Sequence, residues 1–118
     1  MAKRYLTWHM ERPRGDGAKE GPTYYADVAL TPGNIRLHSR KAPDAGDLQV
    51  DIRDDGTSIL SSSYARMTKG HTLEEEAQLY GSGPPTIAKG SEITLHIISS
   101  GGAEDVTCTL ETDASDEE

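Results

Sequence analysis

The sequence predicts an all-β protein, an antiparallel, jelly-roll-like β-sandwich with one short helix near residues 73–80. Apolar residues recur at every second position in five separate segments, which is the period of a half-buried strand. Turns rich in glycine and proline separate these segments at intervals of about 10–15 residues, as in sandwiches and small barrels. The chain has 118 residues, which is the length of a single domain.

The strands are predicted from alternation. In the first segment Leu6, Trp8 and Met10 point to one side, whereas Thr7 and His9 point to the other. The same pattern recurs at four later places along the chain, and two less regular strands are predicted as well. The four alternating segments are 35–38, 48–53, 93–97 and 106–110, and the additional strands are 25–30 and 57–60.

The connections carry turn chemistry. Residues 14–22 form a glycine-rich loop, and 31–34 (Thr-Pro-Gly-Asn) have the residues of a type II turn. Residues 54–56 (Asp-Asp-Gly) predict a hairpin, because Asp-Gly adopts positive φ at low cost. A break at 81–85 and a glycine turn at 99–102 delimit the last strands.

One segment departs from the period of two. Thr72 is placed to cap a helix, with Glu75 three residues later as its capping-box partner, and Gly81 is placed to end it. Leu73, Ala77 and Tyr80 would then share one face, so the helix is expected to lie against a sheet.

Charge and composition exclude several classes of protein. Twenty acidic residues oppose twelve lysines and arginines, for a net charge of −8, which argues against nucleic-acid binding. Five of the acids lie in residues 111–118, so we expect an acidic, disordered tail. The sequence has neither a run of about 18 apolar residues nor a signal-peptide segment, so membrane insertion is not expected.

No cofactor, metal site or catalytic residue is predicted. The histidines lack zinc-site spacing and are interpreted as solvated; if a site exists, His38 and His96 are the pair that neighbouring strands would join. An EF-hand reading of 51–56 fails because Arg53 occupies a ligand position. Cys108 is expected to be a buried, inert thiol. The four histidines are His9, His38, His71 and His96.

From residue 47 onward the chain resembles a β-sandwich module that recurs in virion proteins of tailed bacteriophages, among them minor tail, fibre and head-appendage proteins. The resemblance covers roughly residues 24–111. It rests on an alternating strand that ends in an acidic-Ile-x-x-Asp-Gly-Thr hairpin (51–57), an Ile-x-x-Gly-Ser-x-Ile-Thr strand (87–94), and a last strand that follows a glycine turn (101–110).

The resemblance implies a non-enzymatic structural protein. Such a protein would be made in the bacterial cytoplasm and assembled into the virion, on tail or capsid, with other virion proteins and copies of itself as partners. We expect an N-terminal docking arm with the first strand (1–23), a sandwich (24–111) and an acidic tail (112–118). Deleting 1–14 is expected to block assembly and leave the fold intact. The docking candidates are Lys3, Arg4, Trp8, Arg12 and Arg14.

Three further interpretations stay open. Trp8 is in phase with Leu6 and Met10, which favours a place in the core over docking. Tyr64 and Tyr80 would serve a carbohydrate-binding module for attachment to the host surface if they lie side by side. A small cupin-like enzyme would instead need histidines at inward strand positions, and the alternation places them outward.

Overall fold

The computed structural model describes residues 2–60, 64–78, 80–81 and 83–114. These residues form nine strands, and no helix occurs among them. No helix long and apolar enough to cross a membrane is therefore present in this part of the chain. The strands are β1 (Ala2–Met10), β2 (Lys19–Tyr25), β3 (Leu30–Lys41), β4 (Leu48–Asp54), β5 (Thr57–Ser58), β6 (Ala65–Met67), β7 (Leu73–Glu74), β8 (Glu92–Ser99) and β9 (Glu104–Ala114).

The strands form two antiparallel sheets that pack face to face. Sheet A has the order β1-β9-β3-β7, and sheet B has the order β2-β8-β4-β5, with β6 also paired to β4. The chain passes repeatedly between the sheets, so that apart from the β4–β5 hairpin and the nearby β4–β6 pair the paired strands are distant in sequence, which is the strand order of a jelly roll. The predicted fold class is confirmed.

β1 is an integral strand of sheet A. It pairs with β9 over its full length, from Ala2 opposite Ala114 to Met10 opposite Val106. The sandwich therefore extends beyond the predicted boundaries of 24 and 111. Residues 112–114, expected in the acidic tail, belong to β9, and the rest of that predicted tail, 115–118, lies outside the described residues.

The core consists of the inward positions of the alternating segments. Trp8 is fully buried there, its indole N–H donates to the Pro22 carbonyl at 2.9 Å, and its ring meets Tyr24 edge-on at 5.2 Å. Trp8 thus closes the side of the sandwich where β1 and β2 meet. The other large, fully buried side chains are Ile35, Leu37, Leu48, Val50, Ile52, Met67, Ile87, Ile93, Leu95, Ile97 and Leu110.

The predicted helix at 73–80 is wrong. Leu73 and Glu74 form β7 beside β3, and beyond them the Ala77 N–H donates to the Ile35 carbonyl at 2.9 Å. The Ala77 carbonyl accepts from the backbone N–H of Arg66. Because β3 would otherwise present an open edge, hydrogen bonds with distant backbone override the local capping signals. Leu73 is exposed, while Ala77 is buried as expected.

Three other local predictions differ from the structure. The strand expected at 25–30 is a connection, because β2 ends at Tyr25 and β3 begins at Leu30. The second half of the loop 14–22 is part of β2. The expected turn at 31–34 lies within β3 as a bulge, where the register with β9 shifts between Pro32 and Ile35. The hairpin at 54–56 is confirmed, with Asp55 and Gly56 at φ of 50° and 89°.

Candidate functional site

The motif residues that carry the virion-protein resemblance hold one end of the sandwich together. The Asp55 N–H of the β4–β5 hairpin donates to the Glu92 carbonyl at 2.8 Å, and the Glu92 N–H donates to the Asp55 carboxylate at 2.8 Å. The Gly90 N–H and the Ser91 carbonyl bond the backbone of Ala26. The resemblance is therefore carried by residues that shape the fold.

The predicted docking residues do not form one patch. At the start of β1, Lys3 pairs with Asp113 at 2.9 Å, and Arg4 pairs with Asp27 at 2.7 Å. The hydrogen bond to Asp113 raises the pKa of Lys3, and that from Arg4 lowers the pKa of Asp27.

The other docking candidates lie elsewhere. Arg12 and Arg14 follow the far end of β1, and Trp8 between the two groups is buried in the core. An arm that carries β1 and Trp8 cannot be removed without opening the sandwich. Contrary to the expectation from the sequence, deletion of 1–14 is therefore predicted to disrupt the fold.

The two tyrosines proposed for glycan contact have different surroundings. Tyr80 is half-buried against sheet A, its hydroxyl donates to the Gly33 carbonyl, and burial raises its pKa. Tyr64 lies immediately before β6, in sheet B, with φ of 60°. The Tyr80 hydroxyl thus attaches its own segment to the bulge in β3.

The histidines are dispersed. His38 is exposed in sheet A, whereas His96 belongs to sheet B, where its Nδ1 lies 3.0 Å from the Gly17 carbonyl and its Nε2 lies 3.0 Å from the Thr94 hydroxyl. The suggested pairing of His38 with His96 is therefore wrong. Within the described ranges, no three His, Cys, Asp or Glu side chains converge as a metal site.

Two ionisable side chains, those of Cys108 and Asp51, are buried. Cys108 is fully buried, as expected, and burial raises the pKa of its thiol to about 12. Asp51 stands at a position where the alternation predicted exposure, yet it is only 1% exposed. Its carboxylate accepts from Arg53 Nε at 2.9 Å and from the Ser58 hydroxyl. The sequence could have indicated this ion pair through the spacing of Asp51 and Arg53, which lie two residues apart and so share one face of the strand.

A groove crosses the outer face of sheet A. Its volume is about 360 Å³, and we call it the outer groove. Tyr5, which is 60% exposed, stands on one side, and residues 75–76 form the opposite wall. The residues lining the outer groove are Tyr5, Asn34, Arg36, Glu75, Glu76, Thr109 and Glu111.

The wall of the outer groove is fixed by its neighbour Gln78. Its amide oxygen accepts from the Ile35 N–H at 2.9 Å, and its amide nitrogen donates to Asn34 at 2.9 Å. Gln78 thus replaces a missing strand partner at the bulge in β3. Sequence reasoning missed the outer groove because the predicted helix would have directed its glutamates to solvent. The outward strand positions of Tyr5 on β1 and Arg36 on β3 were the local features that pointed to it.

The outer groove is negative overall. It contains three carboxylates and one guanidinium, that of Arg36, which makes no ion pair with the part of the chain described. Among the described residues, Glu111 is the one groove carboxylate with an ion-pair partner, since Lys3 Nζ lies 3.6 Å away. The geometry offers an exposed aromatic ring beside acidic groups, which suits a cationic, guanidinium-bearing ligand.

Comparison with known proteins supports the fold and leaves the family open. No family model matches the chain, and no curated protein matches it. Among solved structures, the chain is similar to the core of Drosophila NLP, with a TM-score of 0.54 and 14% identity, over 98% of this chain and 100% of that one. That structure is described in terms of pentamer formation and histone binding.

A second similarity is to the structure of infectious bursal disease virus, strain Gx. Its TM-score is 0.31 at 13% identity, and it covers 98% of this chain and 37% of the viral one. At these identities, the similarity to the NLP core concerns the β-sandwich fold.

Proposed function

We propose that this chain is a non-enzymatic structural protein of a tailed-bacteriophage virion, which assembles in symmetric copies on the tail or the capsid. The observation that carries the proposal is that residues 24–111, which carry the virion-module resemblance, fold together with β1 and β2 into one jelly roll. Jelly rolls are recurrent building blocks of viral capsids and of lectins. The protein would be made in the bacterial cytoplasm and would contact other virion proteins and copies of itself.

The surface of the molecule supports an assembly role. The buried polar and thiol groups Asp51 and Cys108 are committed to the core, while the outer groove lies on an open sheet face. Within the described ranges, β1 and β2 end their sheets, and one side of each strand has no sheet partner. Copies in a virion would cover such edges, and closed symmetry would limit their number. The pentamer formation described for the NLP core, which has a similar fold, also supports symmetric assembly.

The test is the protein composition of purified particles. Particles of the phage or prophage that encodes the chain are banded on a density gradient, and the chain is quantified by mass spectrometry against the major capsid protein. The proposal predicts a fixed copy number that is a multiple of three, five or six. A chain that is abundant in the lysate and missing from intact particles would contradict the virion role.

A second candidate function is the binding of basic proteins. The similarity to the NLP core, whose structure is described in terms of histone binding, favours it, and so does the net charge of −8. Titration with a core histone mixture at physiological salt separates the two proposals. A saturable complex would favour the second candidate, and weak binding lost at moderate salt would favour the first. The glycan-binding role of Tyr64 and Tyr80 stays a prediction that a glycan array would check.

A further inference from the structure

Three arginine side chains have no ion-pair partner in the described ranges, and two of them are close together. Four arginines pair with carboxylates, whereas Arg12, Arg14 and Arg36 do not. Arg36 lies in the outer groove, and Arg12 and Arg14 share the segment 11–14, Glu-Arg-Pro-Arg, which we call the basic loop. The paired arginines are Arg4, Arg40, Arg53 and Arg66.

The basic loop is held in place while its arginines are exposed. Pro13 is buried, the Arg14 N–H donates to the Glu20 carboxylate at 3.0 Å, and the Glu11 carbonyl accepts from the Asp105 N–H at 2.7 Å. The loop therefore presents two guanidinium groups from a fixed backbone. Less conformational entropy is lost when such groups bind than when they extend from a mobile arm.

The outer groove has the complementary charge pattern. It contains three carboxylates and one guanidinium, while the basic loop contains two guanidiniums and one carboxylate. Arg12 and Arg14 match the glutamates, Glu11 matches the unpaired Arg36, and the exposed Tyr5 ring offers a stacking surface for a guanidinium.

The basic loop lies far from the Tyr5 end of the outer groove in its own molecule. Tyr5 in the groove precedes Met10, the last residue of β1, by five positions, which is about 17 Å along an extended strand. The loop is tied through Glu11 to Asp105 at the same end of the sheet as Met10. Contact of the basic loop with the Tyr5 end of the outer groove therefore joins two molecules.

We propose that the basic loop of one molecule docks in the outer groove of a second copy, head to tail. This inference rests on the proposed assembly function and names the surfaces that assembly uses. Because the two surfaces differ, the contact is heterologous: repetition closes a ring if the rotation between copies allows it, and gives an open filament if it does not.

The test reverses charge on one surface at a time. Sedimentation velocity at 150 mM salt compares the wild type with Arg12→Glu/Arg14→Glu and with Glu75→Lys/Glu76→Lys. Each variant is expected to weaken self-association by on the order of tenfold or more, since attraction becomes repulsion at two charge pairs. Lys69→Glu/Lys89→Glu, which changes two exposed charges elsewhere, is the matched control and is expected to stay within about twofold.

Mixing the two reversed variants is the decisive step. In an equimolar mixture, the intact loop of one variant meets the intact groove of the other, and the reversed loop meets the reversed groove. The two variants are therefore expected to bind each other with about the wild-type affinity, in dimers or in rings and filaments in which they alternate. Far-UV circular dichroism confirms that each variant is folded. A second measurement uses Arg12→Lys/Arg14→Lys, which keeps the positive charge and supplies amines that carbodiimide can couple to carboxylates. In a mixture of isotope-labelled and unlabelled chains, cross-links are expected between residue 12 or 14 of one chain and Glu75 or Glu76 of another.

The outcomes separate this inference from the assembly proposal. If the wild type associates and neither reversal weakens it, the docking inference is overturned while symmetric assembly stands. If the two variants bind each other no more tightly than each binds itself, the two surfaces do not meet, which also overturns it. A wild-type protein that stays monomeric at every concentration would overturn the assembly proposal itself.

Discussion

Gly101, in the turn between β8 and β9, is expected to tolerate no side chain. Its φ is +60°, and an added Cβ would lie 2.3 Å from the Gly46 carbonyl oxygen and 2.8 Å from Pro43 Cβ. The Gly101 carbonyl also accepts from the backbone N–H groups of Asp44 and Ala45 at 2.8 and 2.9 Å. Gly101→Ala must therefore displace the loop that precedes β4.

The magnitude follows from two parts. The left-handed backbone costs an alanine about 1–2 kcal/mol. Loss of the two hydrogen bonds to the displaced loop adds about 1 kcal/mol each, for a total of about 3–4 kcal/mol. Gly90→Ala is the matched control, because Gly90 has φ of +92° and its Cβ would meet nothing within 4 Å. It carries the backbone cost alone, so the two variants should differ by about 2 kcal/mol.

The assay is urea unfolding followed by the fluorescence of Trp8, the one tryptophan in the sequence. Protein concentration is held fixed, since self-association contributes to apparent stability. With a denaturant slope of roughly 1–3 kcal/mol per M, the Gly101→Ala midpoint is expected about 1 M below that of Gly90→Ala. Equal midpoints for the two variants would refute the close approach of the β8–β9 turn to residues 43–46.

Two further predictions concern buried groups. The unfolded Cys108 thiol ionises above its ordinary pKa of 9.0 and the folded one only near 12, so stability should fall as pH rises above 9. Between pH 8 and pH 10, Cys108→Ala should therefore lose about 1 kcal/mol less unfolding free energy than the wild type, as measured by urea unfolding at the two pH values. An unchanged pH dependence would contradict the burial of the thiol. Asp51→Asn should cost about 2–3 kcal/mol, because Arg53 loses its carboxylate, whereas Asp54→Asn should change little. Equal effects would show that Asp51 is not a buried partner.

The strands that alternate strictly are predictable from sequence because burial on one sheet face is a local pattern. β8 and β9 follow it, β4 follows it except at Asp51, and the Asp55-Gly56 turn is set by backbone preference at two positions. The segment 73–80 is different. Its capping residues favour a helix locally, whereas hydrogen bonds from Ile35 and Arg66 decide its structure. Such bonds between distant residues are visible only once the sheet order is known.

The outer groove also depends on sheet order. Tyr5 and Arg36 are recognisable from the sequence as outward strand positions, but their proximity requires β9 to lie between β1 and β3. Asp51 shows the opposite kind of error. Its place in the alternation predicted that it is exposed, whereas it is buried and hydrogen-bonded by Ser58 of the next strand. The alternation predicts the core, and the contacts between distant strands determine which surface residues meet.

Native mass spectrometry over a wide range of protein concentrations tests the central claim most directly. An assembly protein is predicted to give one closed species whose mass is a whole multiple of 12.8 kDa, with three, five or six copies, and to release monomer only on dilution. A single species of 12.8 kDa at every concentration would contradict the claim that this sandwich works by joining copies of itself.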